Sequence, residues 1–328
     1  MSPADLLHAC QSSRILVLGD LMLDRYLWGK VERISPEAPV PVVEVYEEES
    51  RLGGAANVAL NLHSMGATPL LWGIIGSEES GRQLRTLAAE NSWPTNGLLQ
   101  SEDRRTTVKT RVISGSQQML RVDKEDTFPL TTREQQQLEI GLFAALEQAD
   151  AIVFQDYDKG LLSPILIQRV LHKAQQLGIP SLVDPKFRQF WAYTGCTLFK
   201  PNLKELNEGL SERFDATDIH GLLDGVAQMQ ERMPHHISLL TLGANGALLA
   251  ESGAEPIHVP AHPRAVADVS GAGDTVIAML ALGLANQLPA LQAAQYANLA
   301  GGLVCESVGV VPITPEVWLK AVERELGG

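Results

Sequence analysis

An α/β fold, with a mostly parallel sheet flanked by helices and a small β lid, is predicted by three observations. From Gln135 onward, short apolar strand patterns alternate with helical runs, the pattern of a doubly wound sheet covered on both faces. Polar residues trail each of these strands, and in open α/β sheets ligands gather at the carboxyl ends of strands. Two further segments, residues 24–46 and 105–122, are β-like but fall outside the alternation. With 328 residues the chain can bury a sizeable core. No repeat or Gly/Ser linker divides it, so residues 1–328 read as a single domain carrying the two segments as its lid.

A formal charge of -13 argues against a broad nucleic-acid or membrane surface and favours small-molecule chemistry. Cys10, Cys196 and Cys305 are odd in number and in no metal-ligand spacing, which suits reduced, structural thiols. The N-terminus lacks a signal-peptide pattern and no apolar run is long enough to span a bilayer, so a cytoplasmic protein is expected.

Ile15–Leu18 is a buried-strand pattern ending at Gly19-Asp20, with Asp24 shortly after. The prolines between Arg33 and Val45 exclude a helix and suit an edge strand or extended loop. The stretch from Thr106 to Val122 is also strand-like and carries Lys109, Arg111 and Arg121, so the two segments are expected to pair as a small sheet. Between them, Gly53-Gly54-Ala55-Ala56-Asn57 opens a helix with an apolar stripe of Val58, Ala59, Leu62 and Met65. Two glycines at a helix start let a polyol approach the backbone, and Asn57 can both donate to and accept from hydroxyls. A tight turn with a capping Asn fits the same stretch equally well.

The alternation then runs through helix 135–148, strand 151–154, a helix from Ser163-Pro164 to Gly178, and strand 181–183. Asp156, Asp158 and Lys159 trail the first of these strands, and Asp184, Pro185 and Lys186 the second. Asn202 and Glu205, three apart, share one side of a helical turn. That spacing suits Mg²⁺ held through water, although a solvated helix start is the plainer reading of this stretch alone. Strand 237–240 leads into Thr241-Leu242-Gly243-Ala244-Asn245-Gly246, with an antiparallel return at 247–250.

Asp268-Val269-Ser270-Gly271-Ala272-Gly273-Asp274 is the centre of the functional reading. The apolar spacing of Ile277, Leu280, Ala281 and Leu284 places Gly271, Ala272 and Gly273 at a helix N-terminus, where free amides attract phosphate oxygens. Asp274 on the first turn could take a proton from a hydroxyl lying against such an anion. A phosphoryl transfer to a sugar fits. No Walker A sequence, HExxH, zinc spacing or GxSxG elbow occurs, which argues against P-loop NTPases, metalloproteases, deaminases and α/β-hydrolases.

Gly53 to Asn57, Asn202 to Glu205, Thr241 to Gly246 and Asp268 to Asp274, in this order and spacing, resemble the ribokinase, or phosphofructokinase-B type, carbohydrate kinases. The resemblance covers nearly the whole chain. It implies a ribokinase-like fold and an ATP- and Mg²⁺-dependent sugar kinase, with Asp274 as general base and the Gly271, Ala272 and Gly273 amides as anion hole. It implies Asn202 and Glu205 as the Mg²⁺ pair, Asp24, Gly54 and Asn57 as sugar contacts, and Thr241, Gly243, Gly246 and Asn298 as nucleotide neighbours. Several members hold a monovalent cation near the positions of Asp268 and Ser270, which adds K⁺ as a candidate. Ser270 stands where Thr is usual, a mild change that keeps the hydroxyl, whereas Val310-Val311 stand where small polar residues are common, which counts against that cation.

Within the family, Asp20 to Tyr26, Arg33 to Val43, Asp156 to Gly160 and Asp184 to Lys186 resemble the D-glycero-β-D-manno-heptose-7-phosphate kinases. The resemblance implies formation of heptose 1,7-bisphosphate for ADP-heptose and lipopolysaccharide core synthesis. Without an HxGH nucleotidyltransferase motif, a separate adenylyltransferase is expected. The 7-phosphate needs a second anion site, for which Lys109, Arg111, Arg121, Lys159 and Lys186 are candidates. Fructose 1-phosphate, tagatose 6-phosphate or an unphosphorylated sugar are the alternative substrates, and a non-catalytic sugar-responsive regulator the alternative class. Open strand edges at Val40–Val45 and Thr107–Ile113 predict a homodimer through the lids, burying Val42, Val108 and Val112.

Overall fold

A computed structural model describes residues 1–115 and 117–327; Gly328 and Ser116, the latter inside the second lid segment, lie outside the described residues. The strands are β1 (Arg14–Gly19), β2 (Leu21–Ile34), β3 (Pro41–Gly54), β4 (Thr68–Gly76), β5 (Leu98–Ser101), β6 (Thr107–Ser114), β7 (Gln117–Lys124), β8 (Ala151–Gln155), β9 (Ser181–Asp184), β10 (Leu198–Phe199), β11 (Ile237–Thr241), β12 (Ala247–Glu251) and β13 (Ile257–Val259). The helices are α1 (Pro3–Cys10), α2 (Ala55–Ser64), α3 (Glu79–Glu90), α4 (Thr132–Leu146), α5 (Pro164–Leu177), α6 (Leu203–Leu210), α7 (Ile219–Arg232), α8 (Ala272–Ala285), α9 (Ala290–Val304) and α10 (Pro315–Glu325).

Nine of the described strands form one sheet in the order β13-β12-β11-β10-β9-β8-β1-β4-β5. It is parallel from β11 to β5, with β12 and β13 added antiparallel at one edge. In β1, Ile15 and Val17 enter the apolar layer built with α2, α8 and α9, whereas Leu16 and Leu18 enter the opposite layer built with α4, α5 and α7. A strand buried on both faces has no polar alternation, which is why it reads as a continuous apolar run.

Helix starts follow local chemistry. α4 begins three residues before the expected Gln135, because Thr131 and Glu134 form a reciprocal capping box. α5 has Ser163 as N-cap and Pro164 in its first turn, and ends at Gly178 in the left-handed conformation.

The second sheet has the order β3-β2-β6-β7. The chain leaves β1 and, after Asp20, enters β2 directly, so Asp24 lies within a lid strand, opposite Arg51 of β3 and Lys109 of β6, rather than at a strand end of the main sheet. The lid strands span Leu21 to Gly54 and Thr107 to Lys124, so the first segment starts three residues before the expected 24 and runs eight past the expected 46, and the second is shifted two residues onward from the expected 105–122 at each end. β6 is paired on both sides, so the open edges are β3 and β7 instead of Thr107–Ile113. Val108 is accordingly buried, whereas Val40, Val45, Tyr46, Leu120 and Val122 are exposed.

Candidate active site

The site is built around the start of α8. Gly271 is its N-cap with φ of 81°, and no side chain caps the helix among the described residues. A β-carbon at Gly271 would sit 2.8 Å from Asn57 Nδ2, so both the positive φ and the close approach require glycine here. The first-turn amides have no intrahelical acceptor, which leaves the N–H groups of Gly273 and Asp274 available to an anion.

Asp274, 4% exposed, occupies the third position of α8. Its Oδ2 accepts a hydrogen bond from Asn57 Nδ2 (2.7 Å). Its Oδ1 accepts from Gln155 Nε2 (2.9 Å) and from the Tyr157 hydroxyl (2.8 Å). Burial pushes the carboxyl up to about 6 and the nearby Asp184 adds to the rise, while the bonds from Asn57 and Tyr157 and the charge of Lys200 oppose it. A carboxylate poised near neutrality is suited to general-base work.

The Lys200 ammonium pairs with Asp184 at 3.0 Å. Both lie 3.7 Å from the place a β-carbon would take on Gly273, which sets them against the start of α8. The Gln155 amide bridges Asp274 and Asp184, donating to Asp184 Oδ2 at 3.1 Å. Gln155 and Lys200 are functional candidates that sequence reasoning missed, and both carry the signal of lying at or just after the carboxyl end of a strand. Tyr157 was visible only within the Asp156 to Gly160 motif.

Asn202 and Glu205 form a capping box on α6: Asn202 Oδ1 accepts from the Glu205 N–H, and Glu205 Oε2 from the Asn202 N–H, each at 2.9 Å. Glu205 Oε1 also pairs with Lys186. Burial works against the Lys186 charge, but Asp184 and Glu205 outweigh it and raise its pKa. No group of three or more His, Cys, Asp or Glu residues able to hold a metal ion occurs among the described residues. With both Glu205 oxygens and the Asn202 Oδ1 already engaged, a magnesium ion here would meet this pair through its own water shell and be carried largely by phosphate oxygens.

Around the expected nucleotide border, Thr241 bridges to Asn202 in parallel register. Gly243 and Gly246 both have positive φ, and a side chain at Gly246 would run into the Val259 carbonyl. Asn298 donates to the Pro260 carbonyl at 2.8 Å, so this turn and α9 meet at the same segment.

The lid residues divide into paired and unpaired cations. Arg111 pairs with Asp24, Arg121 with Asp123 and Lys159 with Glu125. Among the described residues Lys109 has no carboxylate partner; its ammonium stands 5.0 Å from the centre of the Tyr157 ring, and that of Lys186 stands 5.4 Å from it. Burial lowers the Lys109 pKa. Gly54 has φ of 58° beside the Asp20 carbonyl, at the junction of lid and α2. Asp268 accepts from the N–H groups of Ser270 and Gly309, each at 2.9 Å, and Ser270 lies beside that carboxylate. Arg51 of the lid donates to the Val308 and Val310 carbonyls, tying β3 to the same loop. A cavity of about 690 Å³ opens at the opposite, amino ends of the strands, lined by Asp150, Ser181, Thr197 and Ile237 among others, and contains none of the predicted site residues.

Residues 12–316 match the family of pfkB carbohydrate kinases. The chain belongs to that family. As a pfkB-family protein it is an ATP-dependent carbohydrate kinase. It is 44% identical over 313 residues to the bifunctional protein HldE of Caulobacter vibrioides, covering 95% of this chain and 64% of that protein. It is 43% identical over 300 residues to the bifunctional protein HldE of Methylobacillus flagellatus, covering 91% and 61% respectively. The chain thus spans less than two thirds of the length of these relatives. Among solved structures, phosphofructokinase-2 from Escherichia coli in complex with substrates and products has a TM-score of 0.77 at 19% identity, covering 95% of this chain and 99% of that one. Arabidopsis thaliana ribokinase complexed with ribose and ATP has a TM-score of 0.74 at 16% identity, covering 95% and 99%. These similarities show a shared ribokinase-like fold for this pfkB-family chain. No described helix is long and apolar enough to cross a membrane.

Proposed function

We propose that this kinase phosphorylates the anomeric oxygen of D-glycero-β-D-manno-heptose 7-phosphate to give heptose 1,7-bisphosphate, a step toward ADP-heptose and lipopolysaccharide core. The observation that carries the chemistry is a buried Asp274 held by three donors at the mouth of an uncapped helix. In this reading Asp274 takes the proton of the anomeric hydroxyl, the freed oxygen bonds to the γ-phosphorus of ATP, and ADP leaves. The Gly271 and Gly273 amides of the expected anion hole, with that of Asp274, receive the phosphoryl oxygens, whereas the Ala272 N–H already donates to the Val269 carbonyl at 3.4 Å; Asn202 and Glu205 would hold Mg²⁺ through water, which would offset the phosphate charge. Lys200 belongs with this group by its position. Asp24, Gly54 and Asn57 face the sugar, and Thr241, Gly243, Gly246 and Asn298 border the nucleotide.

The distal phosphate is assigned to Lys109 and Lys186, one on the lid and one after β9. Both stand beside the ring of Tyr157, and Lys109 has no carboxylate to neutralise it among the described residues. Arg111, Arg121 and Lys159 rank below Lys109 because each is already paired with a carboxylate; Lys186 is paired too, with Glu205, and is kept for its place beside Lys109 and the Tyr157 ring. The HldE relatives support the heptose reading through their similarity over 95% of this chain in the first case. The exposed lid residues Val45, Tyr46, Leu120 and Val122 suit a homodimer through the lids. K⁺ near Asp268 and Ser270 is tested by assaying with and without it. The deciding assay measures ADP release with Mg-ATP and a panel of acceptors. Heptose 7-phosphate should give the highest kcat/KM; a higher value for fructose 1-phosphate, tagatose 6-phosphate or a free sugar would overturn the substrate and leave the kinase assignment in place.

A further inference from the structure

Each oxygen of an ionised carboxylate offers about two acceptor sites. On Asp274 those of Oδ1 are both taken, one by Gln155 Nε2 and one by the Tyr157 hydroxyl, whereas among the described residues Oδ2 is engaged only by Asn57 Nδ2. We propose that Tyr157, together with Gln155, is a positioning residue that saturates Oδ1 and thereby directs the proton of the acceptor hydroxyl to Oδ2. The inference rests on Asp274 being the base.

Tyr157 is placed for this by its own loop. Its backbone N–H, with that of Lys159, donates to the buried Asp20 carboxylate at 2.8 and 3.0 Å, which fixes the turn after β8. The ring lies beside the Lys109 and Lys186 ammonium groups. The hydroxyl titrates well above its usual range because of burial and then the charges of Asp274 and Asp184, so it stays a donor throughout the working pH range. Around Asp274 the other groups of consequence are Asn57 of α2, Gln155 of β8, Asp184 of β9, and the cations Lys186 and Lys200 that follow β9 and β10.

A donor on a carboxylate favours its ionised form. Removing the hydroxyl therefore makes Asp274 harder to ionise and loosens its orientation. The test is the pH profile of kcat/KM for Tyr157→Phe against wild type, using the best acceptor from the panel. A hydrogen bond to a charged group implies that the acid limb moves up by roughly one to two pH units, which is a loss of about 5- to 50-fold at pH 6 that narrows at high pH. Phosphate monoesters also titrate near pH ~6, so the difference between the two profiles is read rather than either limb alone. A loss of rate that is equal at every pH, or no change, would overturn the proposal. Should Tyr157→Phe not fold, Gln155→Leu removes the other Oδ1 donor and must move the limb the same way. An Asp274→Asn control separates the failures: an active control sinks the base assignment, whereas an inactive control with an unshifted Tyr157→Phe profile sinks this proposal alone.

Discussion

Replacing Asp274 by Asn should abolish turnover while changing stability in a pH-dependent way. The Asp274 carboxyl ionises near 3.8 in an unfolded chain and at about 6 in the folded one, chiefly through burial. A difference of about two pH units corresponds to roughly 3 kcal/mol between the two protonation states. Because the folded value is the higher one, the native state holds the proton more tightly. Stability from this group is fully present below about pH 4, is lost as pH rises to about 6, and stays lost above that. Asn cannot ionise and is free of this penalty. It also turns an NH₂ toward one of the three donors, and a buried mismatch costs about 1–3 kcal/mol at every pH. The mismatch cancels when the wild-type and Asp274→Asn stabilities are compared across pH, leaving the ionisation. Urea unfolding of both proteins should therefore show the variant gaining about 3 kcal/mol relative to wild type between pH 4 and pH 8. In parallel, kcat should fall by about 10²–10⁴-fold, the usual worth of a positioned base. A stability difference that is flat with pH would refute a strained, near-neutral Asp274, and a variant retaining more than roughly a tenth of wild-type kcat would refute its role as base.

Gly271→Ala should lower kcat more than it raises the KM for ATP, because a residue at φ of 81° is strained and its β-carbon would displace Asn57 from the base; steady-state kinetics and thermal unfolding check the two effects separately. Lys109→Met should lower kcat/KM on the phosphorylated sugar by about 10- to 100-fold, the worth of one hydrogen bond to a charged group, and barely change it on the unphosphorylated sugar; equal losses on both would remove Lys109 from the distal site. Light scattering at micromolar concentration should give a dimer that Leu120→Glu, placed on the exposed β7 edge, dissociates; a monomeric wild type would discard lid-to-lid pairing and leave the catalytic reading untouched.

Much of the main sheet was legible because its signals are local. The Ile15–Leu18 run, the Ser163-Pro164 start and Gly178 stop of α5, and the return strand after Gly246 each follow from residues within one element. The lid was legible as strand, but its pairing was not. Prolines and β-branched residues indicate extended backbone, yet nothing local says that β2 would run on from Asp20 for fourteen residues and place β6 in the interior. Edge and interior strands differ by their neighbours rather than by their composition, so the expected open edge at Thr107–Ile113 fell one strand away from β7.

The site divides along the same line. Gly271 to Asp274 could be read because a helix N-terminus, a positive-φ glycine and a first-turn carboxylate are fixed by one contiguous stretch. The groups that tune Asp274 could not, since Asn57, Gln155 and Tyr157 reach it across 217, 119 and 117 residues of sequence. Asn57 shows the consequence: on its own stretch it is a polar residue in a first helical turn, open equally to a sugar or to a cap. In the fold its amide donates to Asp274, while its Oδ1 and backbone carbonyl accept from Asn61. Lys186 and Glu205 follow the same logic, each plausible as a ligand contact but each holding the other. What remains unpaired after such accounting is a sharper guide to ligand contacts than residue type. On that criterion, among the described residues, the open acceptor position on Asp274 Oδ2, the Gly273 and Asp274 N–H groups and the Lys109 ammonium are the groups proposed to receive the sugar phosphate and the nucleotide.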